Sequence, residues 1–212
     1  MNSYKLIIII FLFIITLFIY DSNINANNKI VVIDPGHGGM DVGTNYGDLN
    51  ESDINLEISF KLKDVFEENG YQVILTRENK DSLCEDEFIK KEDMSKRIGI
   101  INNSNAQLCI SIHLNSYMDE RYSGAQVFYS DSNKNNFILA EGIQNSIINL
   151  LANTNRKIVK RDNILLLNKV SIPCVIVECG FLSNVKERQL LINPNYQFML
   201  AYSIFYGSRV LL

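Results

Sequence analysis

Apolar runs and amphipathic stretches alternate along this chain in the pattern of an α/β protein. Short runs of branched apolar residues at 31–33, 108–112 and 173–177 predict buried strands that are covered on both faces, as in a parallel sheet. Weaker runs predict three further strands, at 71–75, 124–129 and 164–167. Apolar residues at helical spacing predict helices at 51–66, 92–103, 133–152, 184–192 and 194–211.

The N-terminus carries an apolar segment of another kind. After Lys5, residues 6–20 form a run that only Thr16 interrupts. As a helix this run would be about 22 Å long, against about 30 Å for the hydrocarbon core of a bilayer. We expect residues 1–26 to be a signal peptide cut after Ala26, or an N-terminal membrane anchor, because Ile24 is a mediocre residue three positions before the cut. Residues 27–212 would then form one domain outside the cytoplasmic membrane.

Composition narrows the function classes. The 212 residues carry a net charge of -4 without a basic stripe, which makes nucleic acid an unfavourable partner. The four cysteines, at 84, 109, 174 and 179, form neither a CxxC metal site nor a disulfide framework. We therefore expect them to be thiols.

The chain has two histidines, and both follow predicted strands. His37 lies among glycines just after Pro35, and His113 follows the run at 108–112. Glycines let the backbone turn sharply and let a bulky group approach. Because open α/β sheets place ligands at the carboxyl ends of their strands, the pair predicts two ligands of one metal ion. The alternative for each histidine is a structural or solvated role.

Two carboxylates complete this hypothesis. Glu51 begins a predicted helix, where it either complements the helix dipole or points back to the His37 loop. Glu178 follows an apolar strand, where a carboxylate without a partner is costly to desolvate. His37, Glu51 and His113 would leave a zinc coordination position open for water, and Glu178 would accept and return the proton. Non-haem iron is the alternative metal, although a separate base favours hydrolysis.

Four more residues are candidates for an outer layer of the site or for substrate binding. Asp34 and Asn115 lie near the histidines in sequence and are predicted to orient them. Arg97 lies beside the apolar face of its helix, either as a surface residue or as a ligand for an anionic group. Asn184, at the start of a predicted helix, completes the set.

These motifs resemble those of a known family. Asp34-Pro-Gly-His-Gly-Gly, the helix-initial Glu51, Ser111-Ile-His-Leu-Asn-Ser and Val177-Glu-Cys-Gly-Phe-Leu-Ser-Asn are similar to motifs of the zinc-dependent N-acetylmuramoyl-L-alanine amidases of bacterial cell walls, over residues 30–212. The resemblance implies a single α/β domain with a twisted, mostly parallel six-stranded sheet and helices on both faces. It also implies one Zn²⁺ at His37, Glu51 and His113, with Glu178 as the catalytic residue. The bond cleaved would join the lactyl group of N-acetylmuramic acid to L-alanine.

Within that family, the chain is most similar to the germination-specific amidases of spore formers. This likeness implies removal of stem peptides from spore-cortex peptidoglycan, as the first step to muramic δ-lactam, and an activating membrane lipoprotein as a partner. Asn168 departs from the basic residue of many relatives. The interval between the strand ending at Tyr129 and the last strand holds one ordinary helix, so we predict no built-in autoinhibitory plug.

Two other functions remain open at this stage. One is a catalytically silent peptidoglycan-binding protein on the same fold. The other is a different zinc hydrolase of the wall, such as a peptidase or a deacetylase.

Overall fold

A computed structural model describes residues 29–84 and 87–212. The expected signal peptide or anchor at residues 1–26 lies outside these residues. Among the described helices, none has the length and apolar character needed to cross a membrane.

A six-stranded sheet forms the centre of the molecule. The described residues contain eight strands, of which six belong to this sheet. They are β1 (Ile30–Pro35), β2 (Asn45–Tyr46), β3 (Leu49–Asn50), β4 (Gln72–Leu75), β5 (Leu108–Asn115), β6 (Gln126–Tyr129), β7 (Val159–Lys160) and β8 (Cys174–Phe181). The large sheet has the order β4-β1-β5-β8-β6-β7, and β2 and β3 form a separate hairpin. Every pair in the large sheet is parallel except β6 with β8. The predicted six-stranded, mostly parallel sheet is confirmed.

Helices cover both faces of this sheet, as predicted. They are α1 (Glu51–Glu68), α2 (Lys90–Asn102), α3 (Asn136–Leu151), α4 (Leu165–Lys169), α5 (Val185–Leu191) and α6 (Pro194–Ser208), and a 3₁₀ turn at Arg209–Leu211 follows. On one face α1, α3 and α6 bury Phe66, Ile143 and Ile204 in the larger core. On the other, α2 and α4 bury Ile101 and Leu167 in a smaller core. Apolar side chains on both sides explain why the central strands lack polar alternation.

The sixth strand is not the predicted one. The sequence pattern predicts a strand at residues 164–167, but Leu165–Lys169 is helix α4. Leu166 and Leu167 are both buried, and adjacent buried residues fit the 100° step of a helix better than the alternation of a strand. The strand at this edge is β7, whose two residues carry no apolar pattern.

Two strands run further than their apolar runs predict. β5 continues to Asn115 and β8 to Phe181. His113 and Glu178 therefore lie within strands rather than beyond their ends, and they occupy paired positions in adjacent strands. Both strands have hydrogen-bonding neighbours on each side, which lets them continue through polar residues.

Helices α3 and α6 approach each other backbone to backbone at two glycines. A Cβ atom added to Gly142 would lie 2.6 Å from the carbonyl oxygen of Gly207, and one added to Gly207 would lie 2.5 Å from the Cα atom of Ile143. These distances are well below van der Waals contact, so any side chain at either position would force the helices apart.

We expect Gly207→Ala to lower the free energy of unfolding by about 1–3 kcal/mol, the usual cost of overpacking. Gly99→Ala, in α2, is the matched control because a Cβ atom there meets no other atom within 4 Å. The control should stabilise the protein by about 0.5–1 kcal/mol, since alanine loses less conformational entropy in a helix than glycine. Denaturant unfolding measures both effects, and stabilisation by Gly207→Ala would contradict the close approach.

Candidate metal centre

His37 lies immediately beyond β1 in an uncommon backbone conformation. Its φ is 61°, in the left-handed region that costs a residue with a side chain of the order of 1 kcal/mol. Gly38 and Asp41 exchange backbone hydrogen bonds and close the turn. The turn directs the imidazole at two carboxylates, with Nδ1 3.0 Å from Oδ2 of Asp41 and Nε2 3.3 Å from Oε1 of Glu51.

Glu51, the first residue of α1, is buried and points back to the His37 loop. Its carboxylate accepts hydrogen bonds from the backbone N–H groups of Thr44 (2.9 Å) and Leu114 (3.0 Å). Oε1 also lies 3.0 Å from Nδ1 of His113. The carboxylate therefore lies between two imidazoles, which is more than complementing the helix dipole requires.

His37, Glu51 and His113 each offer one ligand atom, and these atoms lie within 4.8 Å of one another. Burial favours the neutral acid, but hydrogen bonds to His113 and His37 outweigh it and hold the pKa of Glu51 well below its usual range. The carboxylate is thus ionised, as a metal ligand must be. Two imidazoles and one carboxylate are the donor set of catalytic zinc and of non-haem iron. The three residues fit such an ion.

Two glycines make room for this set. A Cβ atom on Gly36 would overlap the imidazole ring of His113, and one on Gly43 would lie 2.6 Å from Oε2 of Glu51. Backbone approaches this close require residues without a side chain.

Glu178 lies beside His113 and has an unsatisfied carboxylate oxygen. The side chain is half-buried, and its Oε2 atom is shielded from solvent without a hydrogen-bond partner among the described residues. Burial raises the pKa of Glu178 to about 7, and the charge of Glu51 acts in the same direction, whereas His113 opposes it. A carboxyl group with such a pKa can both accept and release a proton near neutrality.

Asp34 and Arg97 form a buried charge pair behind the site. Nη1 of Arg97 lies 2.8 Å from Oδ1 of Asp34, and Nε lies 2.6 Å from Asp93. Nη1 and Nη2 also donate to the carbonyl oxygens of Pro35 and His37. Arg97 is therefore a buried residue, and four of its five N–H groups already have acceptors within the protein. It holds the backbone that carries His37.

Arg77 is a second buried arginine, which sequence reasoning missed. It donates to the carbonyl oxygens of Pro35 (3.0 Å), Gly36 (2.9 Å) and Ser52 (2.8 Å). Burial and the nearby charge of Arg97 lower its pKa to about 10, so it keeps its charge at neutral pH. The sequence feature that could have identified Arg77 is its position just after the strand predicted at residues 71–75. The carboxyl end of that strand lies at the same end of the sheet as His37.

The side chains of the other outer candidates have the following contacts. The side chain of Asn115 accepts a hydrogen bond from the backbone of Ser116. Asn184 is the N-cap of α5 and accepts from the backbone N–H groups of Lys186 and Glu187. Asp34 accepts a hydrogen bond from the hydroxyl group of Ser111 at 2.7 Å. Asp41, which contacts His37 directly, was not among the predicted residues.

A cavity of about 240 Å³ opens over His37, His113 and Glu178. Met94, Ile164, Leu166 and Ile176 form an apolar wall, and Asp41 and Lys90 lie on the polar side. A polar group in this cavity would meet the two imidazoles and the side chain of Glu178 together. The geometry suits attack by water on a polarised carbonyl carbon.

Comparisons with known proteins agree with this chemistry. Residues 31–208 match the model of the N-acetylmuramoyl-L-alanine amidase family. The germination-specific N-acetylmuramoyl-L-alanine amidase of Bacillus subtilis (strain 168) is 40% identical over 211 residues, which cover 92% of this chain and 89% of the relative.

Solved structures show the same likeness. The CwlD amidase of Clostridioides difficile, solved in complex with the GerS lipoprotein, is 39% identical with a TM-score of 0.80, over 86% of this chain and 97% of that one. An N-acetylmuramoyl-L-alanine amidase of Clostridium difficile 630 is 32% identical with a TM-score of 0.76, over 85% of this chain and 95% of that one. The sequence match, the shared fold and the convergent site agree, and the chain belongs to the N-acetylmuramoyl-L-alanine amidase family.

Proposed function

We propose that this amidase removes stem peptides from spore-cortex peptidoglycan in a zinc-dependent reaction, as the first step to muramic δ-lactam. The bond cleaved joins the lactyl group of N-acetylmuramic acid to L-alanine. The observation that carries the proposal is the convergence of the ligand atoms of His37, Glu51 and His113 at a cavity that both histidines and Glu178 line. The cortex assignment rests on the likeness to the germination-specific amidase of Bacillus subtilis.

The residues that would hold zinc are His37, Glu51 and His113. When bound there, zinc polarises a carbonyl group and lowers the pKa of a coordinated water. Asp41, 3.0 Å from Nδ1 of His37, fixes the orientation of that ring. Arg77 and Arg97 hold the loop that carries it.

Glu178 is the group we propose to move the proton. It takes a proton from the attacking water while the water oxygen bonds to the carbonyl carbon. As the carbon–nitrogen bond breaks, the carboxyl group returns that proton to the leaving nitrogen, which departs as the amine of L-alanine. The pKa of about 7 suits both halves of this transfer.

Export and control are further parts of the proposal. Residues 1–26 would take the enzyme across the cytoplasmic membrane as a signal peptide or an anchor, and peptidoglycan lies on the far side. We propose an activating membrane lipoprotein as a partner, and the support is that the CwlD amidase was solved in complex with a lipoprotein. High activity of the purified enzyme with added zinc and no partner would exclude a required activator.

We expect Glu178→Gln to reduce peptide release by about 10²–10⁴-fold, the usual contribution of a general acid–base residue. Mass analysis of digested cortex peptidoglycan measures this peptide release. Of the wall hydrolases considered, an amidase is the one that frees intact stem peptides beginning with L-alanine. The variant should still sediment with peptidoglycan. Equal turnover by the variant would exclude the role of Glu178, and absence of peptide release by the wild type would favour a silent binding protein.

The same variant should stabilise the metal-free protein at high pH. Folding raises the pKa of Glu178 from about 4.5 to about 7, so the unfolded state loses its proton first and the wild type loses stability as the pH rises between these values. The amide side chain of the variant would never ionise. As the pH rises from about 4.5 to about 7, thermal unfolding should therefore show the stability of Glu178→Gln increasing relative to that of the wild type. A difference that does not change with pH would contradict the raised pKa.

Zinc should raise the melting temperature of the wild type, because an ion that binds only the folded state adds about 4 kcal/mol at a thousand times its dissociation constant. Glu51→Gln should lose most of this shift. Asp53→Asn is the matched control, since Asp53 lies in the same helical turn but pairs with Lys80 at 3.0 Å. Each variant is compared with its own metal-free form, and a full zinc shift in Glu51→Gln would exclude Glu51 as a ligand.

A further inference from the structure

The polar side of the catalytic cavity is rich in carboxyl groups and short of available cations. Asp34, Asp41, Asp93 and Glu178 line it. Among the described residues (29–84 and 87–212), the lysine and arginine residues that line this cavity are two, Lys90 and Arg97. A negatively charged substrate entering such a cavity would be repelled unless a cation were available to it.

Arg97 is poorly placed to serve that need, because four of its five N–H groups already have acceptors. Its Nε, Nη1 and Nη2 atoms donate to Asp93, Asp34 and the backbone of the His37 loop. It is also almost fully buried, with 2% of its surface exposed. Its guanidinium group holds the loop in place.

Lys90 is different in both respects. Its side chain is 72% exposed, and its Nζ atom lies 3.4 Å from Oδ2 of Asp41. An ammonium group carries three donors, so contact with Asp41 leaves donors for a second acceptor. The same Oδ2 atom is 3.0 Å from Nδ1 of His37. The ammonium group therefore lies one carboxylate away from a proposed metal ligand, at the mouth of the cavity.

The position of Lys90 in its helix has no evident structural advantage. Lys90 is the first residue of α2, where a positive charge opposes the helix dipole at a cost of about 0.3–1 kcal/mol. An exposed ion pair such as that with Asp41 returns no more than about this amount. The placement therefore brings little net stability, and Lys90 can be replaced without a large effect on folding.

We propose that Lys90 binds a carboxylate of the stem peptide, on the residue that follows L-alanine, and makes the enzyme select acidic over amidated stems. In peptidoglycan that residue is a D-glutamyl residue whose carboxyl group is either free or amidated. Two residues of extended chain span about 7 Å, and Asp41 links Nζ of Lys90 to Nδ1 of His37 by contacts of 3.4 and 3.0 Å. This inference rests on the proposed amidase function and adds a specificity-determining residue to it.

The test uses two soluble muramoyl peptides that differ in one group, a free or an amidated carboxyl on the residue after alanine. Wild type, Lys90→Met, Lys90→Arg and Lys91→Met are compared in steady-state release of peptide. Lys91→Met is the matched control, because Lys91 is an exposed lysine in the same helical turn that does not line the cavity.

We expect the wild type to show a KM about five-fold lower for the acidic peptide, the size of a partly exposed ion pair. Lys90→Met should lose this preference through a higher KM for the acidic peptide, and Lys90→Arg should retain most of it. Lys91→Met should behave as the wild type. Retention of the preference in Lys90→Met would overturn the proposal, and so would an equal loss in Lys91→Met, since that would indicate only the net charge of the helix.

Calorimetric binding of both peptides to Glu178→Gln, alone and combined with Lys90→Met, separates this inference from the proposed function. Preferential binding of the acidic peptide that disappears with Lys90→Met supports the inference whether or not turnover is observed. Equal binding of the two peptides to Glu178→Gln overturns it, even if the wild type releases stem peptides normally.

Discussion

Two buried guanidinium groups hold three consecutive backbone carbonyls, those of residues 35–37, and the site depends on this constraint. Arg97 and Arg77 both donate to Pro35, and they then divide the next two carbonyls between them. His37 can keep its left-handed backbone because these bonds leave the chain little freedom to relax. Desolvating two cations is costly, and Asp34 and Asp93 offset part of that cost through Arg97.

From this fixed loop the rest of the centre follows by sheet and helix geometry. β1 and β5 are adjacent parallel strands, so their carboxyl ends bring both histidines to one edge of the sheet. The register of β5 with β8 sets Glu178 beside His113. Helix α1 begins at the same edge and directs Glu51 between the two rings. Glycine at position 36 allows the His113 ring to pack against the backbone.

Two glutamates in one site are thereby given opposite properties. Two imidazoles and two backbone N–H groups surround Glu51, which stays ionised although it is buried. One oxygen of Glu178 is shielded from solvent and has no hydrogen-bond partner in the part of the chain that the structure describes, and the pKa of Glu178 rises to about 7. Environments that separate the pKa values of neighbouring carboxyl groups are how one site provides a permanent anion and a proton carrier together. This division agrees with an amidase that needs a ligand and a base.

The sequence by itself determined the α/β class and the central strands, because apolar runs are local signals. It also indicated the two histidines, Glu51 and Glu178 as candidate site residues, because isolated polar residues beside such runs are local signals too. Its motifs also indicated the family. Only the tertiary structure decided that the edge strand is β7, since a run of three leucines is too short to distinguish a strand from a helix. It also decided the roles of Arg77 and Arg97, whose acceptors lie about 40 and 60 residues away in sequence. Contacts between such distant positions leave no periodic pattern in a single chain, because their geometry exists only after the sheet has formed.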